Sequence, residues 1–313
     1  MKSGQTKDTL LIALGGNALI RKGQEGTIQE QLDNLKIPMA QIAALSREYR
    51  IIITHGNAPQ VGNLLLQQEC CDAVPKLPLE ILVAQTQGQM GYMLESTLDT
   101  ALMERGLDGT QDLVSLISYV VVDEKDPALI KPSKPIGPFF SAEKAATLPY
   151  PTKETAKGYR RVVASPRPVT IVEKREIKKL VDMGFLVICC GGGGIPVIRE
   201  GRTFCGVDAV IDKDLASARL AEEVGVDIFL IATDVDGAAL YYGTREEHYV
   251  RTLSLSEARQ YLKQGQFPAG SMGPKVEAAI QFVAQTGRRA VITSVGSIRD
   301  AVEGNGGTEI IGP

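Results

Sequence analysis

Phe185-Leu-Val-Ile-Cys-Cys-Gly-Gly-Gly-Gly194 opens the stretch that decides the reading, and Gly206-Val-Asp-Ala-Val-Ile-Asp-Lys-Asp214 closes it. The apolar run up to Cys190 has the composition of a buried strand. Consecutive glycines directly after a strand let backbone N–H groups approach a ligand closely, and a row of N–H donors suits a phosphate. Lys213, flanked by Asp212 and Asp214, adds a cation whose position carboxylates can fix. Together these features point to phosphate chemistry at the end of a parallel sheet.

Working outward, the same punctuation recurs. Leu10-Leu-Ile-Ala-Leu14 ends in Gly15-Gly16-Asn17, and Ile51-Ile-Ile-Thr54 runs into His55-Gly-Asn-Ala-Pro-Gln-Val-Gly62. Ile228–Thr233 ends in Asp234-Val-Asp-Gly237, while Arg289–Thr293 and Glu309–Ile311 supply further strands and Leu113–Val122 reads as another. Between the strands, apolar residues return at helical spacing: Ile28 to Ile42, Leu79 to Leu102, Ile177 to Val181, and Val210 to Ala221 from near Lys213. Pro38 is expected to kink or split the first of these. Ser254-Leu-Ser-Glu257 is a capping box that starts a helix, and Gly270-Ser-Met-Gly-Pro-Lys275 reads as a turn before one. Strand, helix, strand throughout predicts a parallel α/β sheet with helices on both faces.

Residues 124–168 break the pattern with eight prolines, which exclude a central strand or a long helix there. Ile136-Gly-Pro-Phe-Phe140 and Tyr159-Arg-Arg-Val-Val163 carry apolar bulk that a solvated linker would lack. A small folded excursion from the main sheet is the expectation.

The totals narrow the partners. A chain of 313 residues with 44% hydrophobic and 23% charged residues is ordinary globular composition. A net charge of −3 gives no basic field for nucleic acid. No apolar run approaches the roughly 20 residues that cross a bilayer, and the first residues have no signal-peptide core. Five cysteines without CxxC spacing, beside only two histidines, read as reduced thiols in a cytoplasmic protein rather than a metal site.

Ligands of open α/β sheets bind beyond the carboxyl ends of the strands, so the glycine-rich turns should line one crevice. Lys134, Lys213 and Lys275 each sit beside a glycine- or proline-shaped turn. Phosphoryl transfer needs positioning and positive charge more than a nucleophile, and lysines with backbone amides supply both. His55 reads as a hydrogen-bonded turn residue, and Cys189 and Cys190 as buried packing. No G-x-x-x-x-G-K-[ST] occurs, and Pro196 stands where a dinucleotide fingerprint would start its helix.

Seven segments in register, from Leu14-Gly-Gly-Asn-Ala-Leu19 to Gly270-Ser-Met-Gly-Pro-Lys275, resemble the carbamate kinases of the amino acid kinase superfamily. The others are His55–Gly62, Lys134-Pro-Ile-Gly-Pro-Phe139, Tyr159–Val163, Gly191-Gly-Gly-Gly-Ile-Pro196 and Ala209–Asp214. The resemblance implies a three-layer αβα sandwich around a mainly parallel sheet with a small protruding subdomain, usually dimeric. It implies an acceptor-binding N-lobe over 1–190, a lid within it at about 124–168, and a nucleotide-binding C-lobe over 191–313. The implied reaction is reversible phosphoryl transfer between carbamoyl phosphate and ADP, with Mg2+ carried by the nucleotide. Another small carboxylate or carbamate acceptor, or a nucleotide-sensing role, is the alternative. By the same resemblance Lys134, Lys213 and Lys275 are the catalytic cations and Asp214 holds the last two in place. Amides of Gly15, Gly16, Asn17, Gly56 and Asn57 bind the acceptor, and Gly192, Lys213, Asp234, Tyr241, Met272 and Lys275 the nucleotide. Relatives such as acetylglutamate kinase place a lysine where this chain has Ala13, and the resemblance implies that a lysine of the protruding subdomain, matched here by Lys134, takes its place. Ala58 and Gln89 depart from the family pattern, and the extra methyl at Ala58 bears on the acceptor.

Overall fold

Strand-length apolar runs form the centre of the computed structural model, which describes residues 7–312 apart from 17, 18, 22, 156, 157 and 269. The first elements are β1 (Thr9–Leu14), α1 (Ile28–Leu45), β2 (Arg50–His55), α2 (Ala58–Glu69) and α3 (Leu79–Met103). Every residue of β1 is buried, which requires cover on both faces. Pro38 lies inside one unsplit helix: it removes a single backbone bond, and the burial of Leu35, Met39 and Ile42 holds the rest together.

The expected strand over 113–122 is two strands, β3 (Leu113–Ser115) and β4 (Tyr119–Val122), in different sheets. The break has a cause. Gln87 takes the Ser118 N–H at 2.9 Å through Oε1 and donates to the Ser118 carbonyl at 3.2 Å, so the chain turns there instead of extending the ladder.

Residues 124–168 fold as a three-stranded antiparallel sheet of β5 (Lys134–Phe140), β6 (Thr152–Thr155) and β7 (Gly158–Val163), with the short α4 (Ala142–Ala146). Pro135 and Pro138 lie on β5, an edge strand, where a missing donor is tolerated. Ile136 is fully buried among Val61, Leu65, Leu82 and Ile195, which is worth roughly 2 kcal/mol and ties this flap to the body. Gly62 of α2 meets Gly137 of β5 so closely that a Cβ on Gly62 would lie 2.0 Å from the Gly137 Cα. Beside that crossing, Glu69 accepts from Arg161 at 2.6 Å and from Tyr150 at 3.1 Å.

The chain then continues through β8 (Pro168–Ile171), α5 (Lys174–Asp182), β9 (Leu186–Ile188), β10 (Ile195–Glu200), β11 (Thr203–Gly206) and α6 (Lys213–Val224). It finishes with β12 (Ile228–Thr233), β13 (Ala239–Leu240), β14 (His248–Tyr249), β15 (Thr252–Ser254), α7 (Leu255–Lys263), α8 (Met272–Thr286), β16 (Arg289–Ser294), α9 (Ile298–Val302) and β17 (Thr308–Ile311). The main sheet has the order β15-β17-β16-β12-β1-β2-β9-β3 and is parallel except for the β16–β17 pair. Alternate residues of its strands enter two cores. Leu11, Ala13, Ile52 and Phe229 pack with α5, α6 and α8, whereas Leu10, Ile12, Ile53 and Leu230 pack with α1, α3 and α9. That period-two division makes the three-layer αβα sandwich.

Candidate active site

Because β1, β2 and β12 run parallel, their carboxyl ends open on the same side, and a cavity of about 350 Å³ lies beyond them. Gly15 and Gly16 after β1, Gly56 and Asn57 after β2, and Thr233 and Asp234 at the end of β12 all line it. The first residues of three helices also face it: Ala58 of α2, Lys213 of α6 and Met272 of α8. Each helix start presents N–H groups without intrahelical partners and the positive end of a dipole. The region is therefore set up for anions before any side-chain charge is counted.

The side chains add to this. Lys134 from the flap, Lys213 and Lys275 all line the cavity. Asp214 accepts from Lys213 through one carboxylate oxygen and from Lys275, at 3.0 Å, through the other. Asp212 caps α6, its Oδ1 accepting from the Asp214 amide at 2.9 Å, and its Oδ2 takes the Lys134 ammonium. Two carboxylates thus divide three lysines between them. Burial works against ionisation of Asp214, but Lys213 and then Lys275 hold its carboxyl well below the usual carboxylate range. For Lys213 burial pushes the ammonium pKa down, opposed by Asp214. Lys275 is likewise opposed by burial, yet Asp214 raises it above the ordinary lysine value.

Not every sequence-derived role survives in its original form. Gly15 donates its N–H to the Ala232 carbonyl at 2.8 Å, and Gly56 to Leu14 at 3.1 Å. Their amides complete the sheet ladder, so these two glycines offer close approach rather than a donor. Asn17 lies outside the described residues. Asn57 is buried and donates to Thr86 at 2.8 Å.

The four-glycine run is not an open cradle. Only Gly192 lines the cavity, and the Gly193 and Gly194 amides close a turn onto Cys190 and Gly191. A Cβ on Gly191 would lie 2.4 Å from His55 Nε2, and one on Gly192 2.0 Å from the Asn57 amide. The run is glycine because two chain segments cross there at contact distance. Lys275, expected in a turn, instead stands in the first turn of α8.

Asp234 and Met272 line the cavity; Tyr241 does not. Its left-handed φ of +54° turns the chain, and its ring sits 5.9 Å from that of His248 at a tilt of 40°. Tyr242 and Tyr249 occupy the cavity wall instead. Neither carried a signal in the sequence, because the β13–β14 hairpin that presents them is only two residues deep. Asp212 did carry one, as an N-cap residue before an apolar helical run.

His55 is buried and donates Nδ1–H to the Gly56 carbonyl at 3.0 Å. Burial first, and the nearby Lys213 charge second, lower its pKa to about 4, so the ring is neutral. Among the described residues no cluster of three or more His, Cys, Asp or Glu side chains is placed to hold a metal ion.

A parallel α/β sandwich whose helix starts and paired lysines face one cleft defines a phosphoryl-transfer protein, and residues 8–294 match the family model described as the amino acid kinase family. The chain belongs to that family. Carbamate kinases are among its relatives: that of Pyrococcus furiosus is 46% identical over 96% of this chain and 98% of its own. The Giardia lamblia carbamate kinase bound to citric acid superposes with a TM-score of 0.92 at 39% identity, covering 98% of this chain and 99% of its own. The same Giardia enzyme bound to AMP-PNP gives 0.89 at 40% identity, with the same coverage of both chains.

Proposed function

We propose that the chain catalyses reversible phosphoryl transfer between carbamoyl phosphate and ADP, forming carbamate and ATP. The observation that carries this reading is the convergence of Lys134, Lys213 and Lys275 on one cavity, two of them aligned by Asp214. A phosphoryl group in transfer spreads negative charge over its oxygens, and fixed ammonium groups stabilise that charge without reorganising. Lys213 and Lys275 grip the transferring group and the nucleotide phosphates, and Lys134 neutralises the acceptor side from the flap. The N-terminal end of α2, with Gly16 and Asn57, receives the small anion. Residues 1–190 form the acceptor lobe, with 124–168 as its lid, and residues 191–313 the nucleotide lobe. Asp234, Tyr242, Tyr249, Met272 and Gly192 surround the nucleotide, which brings its own Mg2+ as part of the substrate.

Carbamate is already an anion, so no base has to remove a proton from it, and the neutral His55 is not needed for one. We also infer a homodimer, supported by the exposed Tyr92, Ile117 and Phe204 side chains, and a cytoplasmic location, supported by five unpaired cysteines. Among the described residues no helix is long and apolar enough to cross a membrane.

The direct test measures ATP formed from ADP and carbamoyl phosphate, with acetyl phosphate as a control donor. Lys134→Ala should lower kcat by about 100-fold while ADP affinity stays within about twofold. ATP from neither donor overturns the function.

A further inference from the structure

We propose that Asp212 is the positioning residue for Lys134: it aims the flap's ammonium into the cleft and acts on the reaction only through that lysine. The inference rests on the phosphoryl-transfer reading above and adds a second, separate task to the Asp-Lys-Asp segment.

Three observations carry it. First, the Asp212 carboxylate is itself held still. Oδ1 accepts from the Asp214 amide at 2.9 Å and from the Leu215 amide at 3.5 Å, as the N-cap of α6. That fixes where Oδ2 points, and Oδ2 takes Lys134.

Second, Lys134 needs such a guide. It is the first residue of β5, its side chain is one-third exposed, and four rotatable bonds separate its ammonium from the backbone. The flap backbone is set at Gly62–Gly137 and Ile136, but those contacts cannot choose among lysine rotamers. Asp212 chooses.

Third, the arrangement leaves the lysine usable. An ammonium has three N–H donors, and one bond to Asp212 leaves two for phosphate oxygens. Asp214 treats Lys213 and Lys275 the same way, so each ammonium enters the cleft already oriented by a carboxylate anchored in the start of α6. Pre-set geometry of this kind raises kcat more than it changes nucleotide binding.

The test is a double-mutant cycle. Asn and Ser are both good N-caps, so Asp212→Asn and Asp212→Ser keep the helix start while removing the charge that meets Lys134. Each is made alone and in the Lys134→Ala background; kcat, KM for ADP and melting temperature are measured in a sensitive ATP-forming assay. Each Asp212 variant should fall about tenfold in kcat, with KM for ADP within about twofold. In the Lys134→Ala background the same substitutions should change kcat by less than about twofold. An equal tenfold loss in both backgrounds overturns the proposal, because Asp212 would then act directly on substrate or metal. No loss in either background overturns it as well. A wild-type enzyme that makes no ATP from either donor removes the phosphoryl-transfer reading itself, a result distinct from additivity in an active enzyme.

Discussion

Acidification from pH 7.5 to 5.0 should destabilise this protein through one buried ring. His55 is neutral in the fold with a pKa of about 4, against 6.5 for an ordinary histidine. Below pH 6.5 the unfolded chain takes up a proton there that the folded chain refuses. The unfolded state then binds more protons, and stability falls as pH falls. The contribution is complete above pH 6.5 and is lost progressively down to about pH 4. At 1.36 kcal/mol per pH unit, the full gap of 2.5 units corresponds to about 3 kcal/mol, and the portion above pH 5.0 to about 2 kcal/mol. Urea unfolding at pH 7.5 and 5.0 measures it, with His55→Asn as the partner variant. Asn can still donate to the Gly56 carbonyl but does not titrate. Other titrating groups, including the partly buried Glu173 and Glu222, act alike in both proteins and cancel in the comparison. The wild type should lose about 2 kcal/mol more than His55→Asn over this interval. Equal losses would show that the ring is protonated or hydrated in the fold, and would refute the burial argument.

Gly62→Ala should cost about 2 kcal/mol and lower kcat as β5 shifts, because its methyl would meet the Gly137 Cα at 2.0 Å; chemical unfolding and steady-state rates check both. Asp214→Asn leaves Lys213 and Lys275 buried without their shared counter-ion, so stability should fall by about 3 kcal/mol and kcat by about 100-fold. Unchanged melting and turnover would remove Asp214 from its assigned place. Tyr242→Ala should raise KM for ADP several-fold, whereas Tyr241→Ala should leave it within twofold, since only Tyr242 lines the cavity. The reverse order in a KM comparison would reinstate Tyr241.

Much of the architecture could be read directly from residue order. Leu10–Leu14, Ile51–Thr54 and Ile228–Thr233 are apolar at every position or nearly so, as strands covered on both faces are, and the glycine-containing or acidic turns after them mark them as strands rather than buried helix. The lysines were visible because each stands next to a turn of unusual composition. What stayed hidden depends on distance between remote segments. The use of Gly191–Gly194 is decided by His55, Asn57, Val120 and Ile211, none of which is near in sequence. Pro38 failed as a helix breaker because the surrounding burial outweighed one missing bond. The pairing of Lys134 with Asp212 spans 78 residues and could not be inferred from spacing, although both residues were conspicuous alone.

The sheet carries one more consequence. β1 lies at its heart, bonded to β2 on one side and β12 on the other, so the two halves of the molecule share a single uninterrupted ladder. The halves cannot be pulled apart along β1 without breaking consecutive backbone hydrogen bonds. Among the described residues three smaller sheets stand outside that ladder, and two of them bring side chains to the cleft: the antiparallel sheet bearing Lys134, and the β13–β14 pair with Tyr242 and Tyr249. The ladder thus fixes Gly16 and Asn57 at the strand ends, while the charge that Lys134 brings above them is carried by a separate sheet.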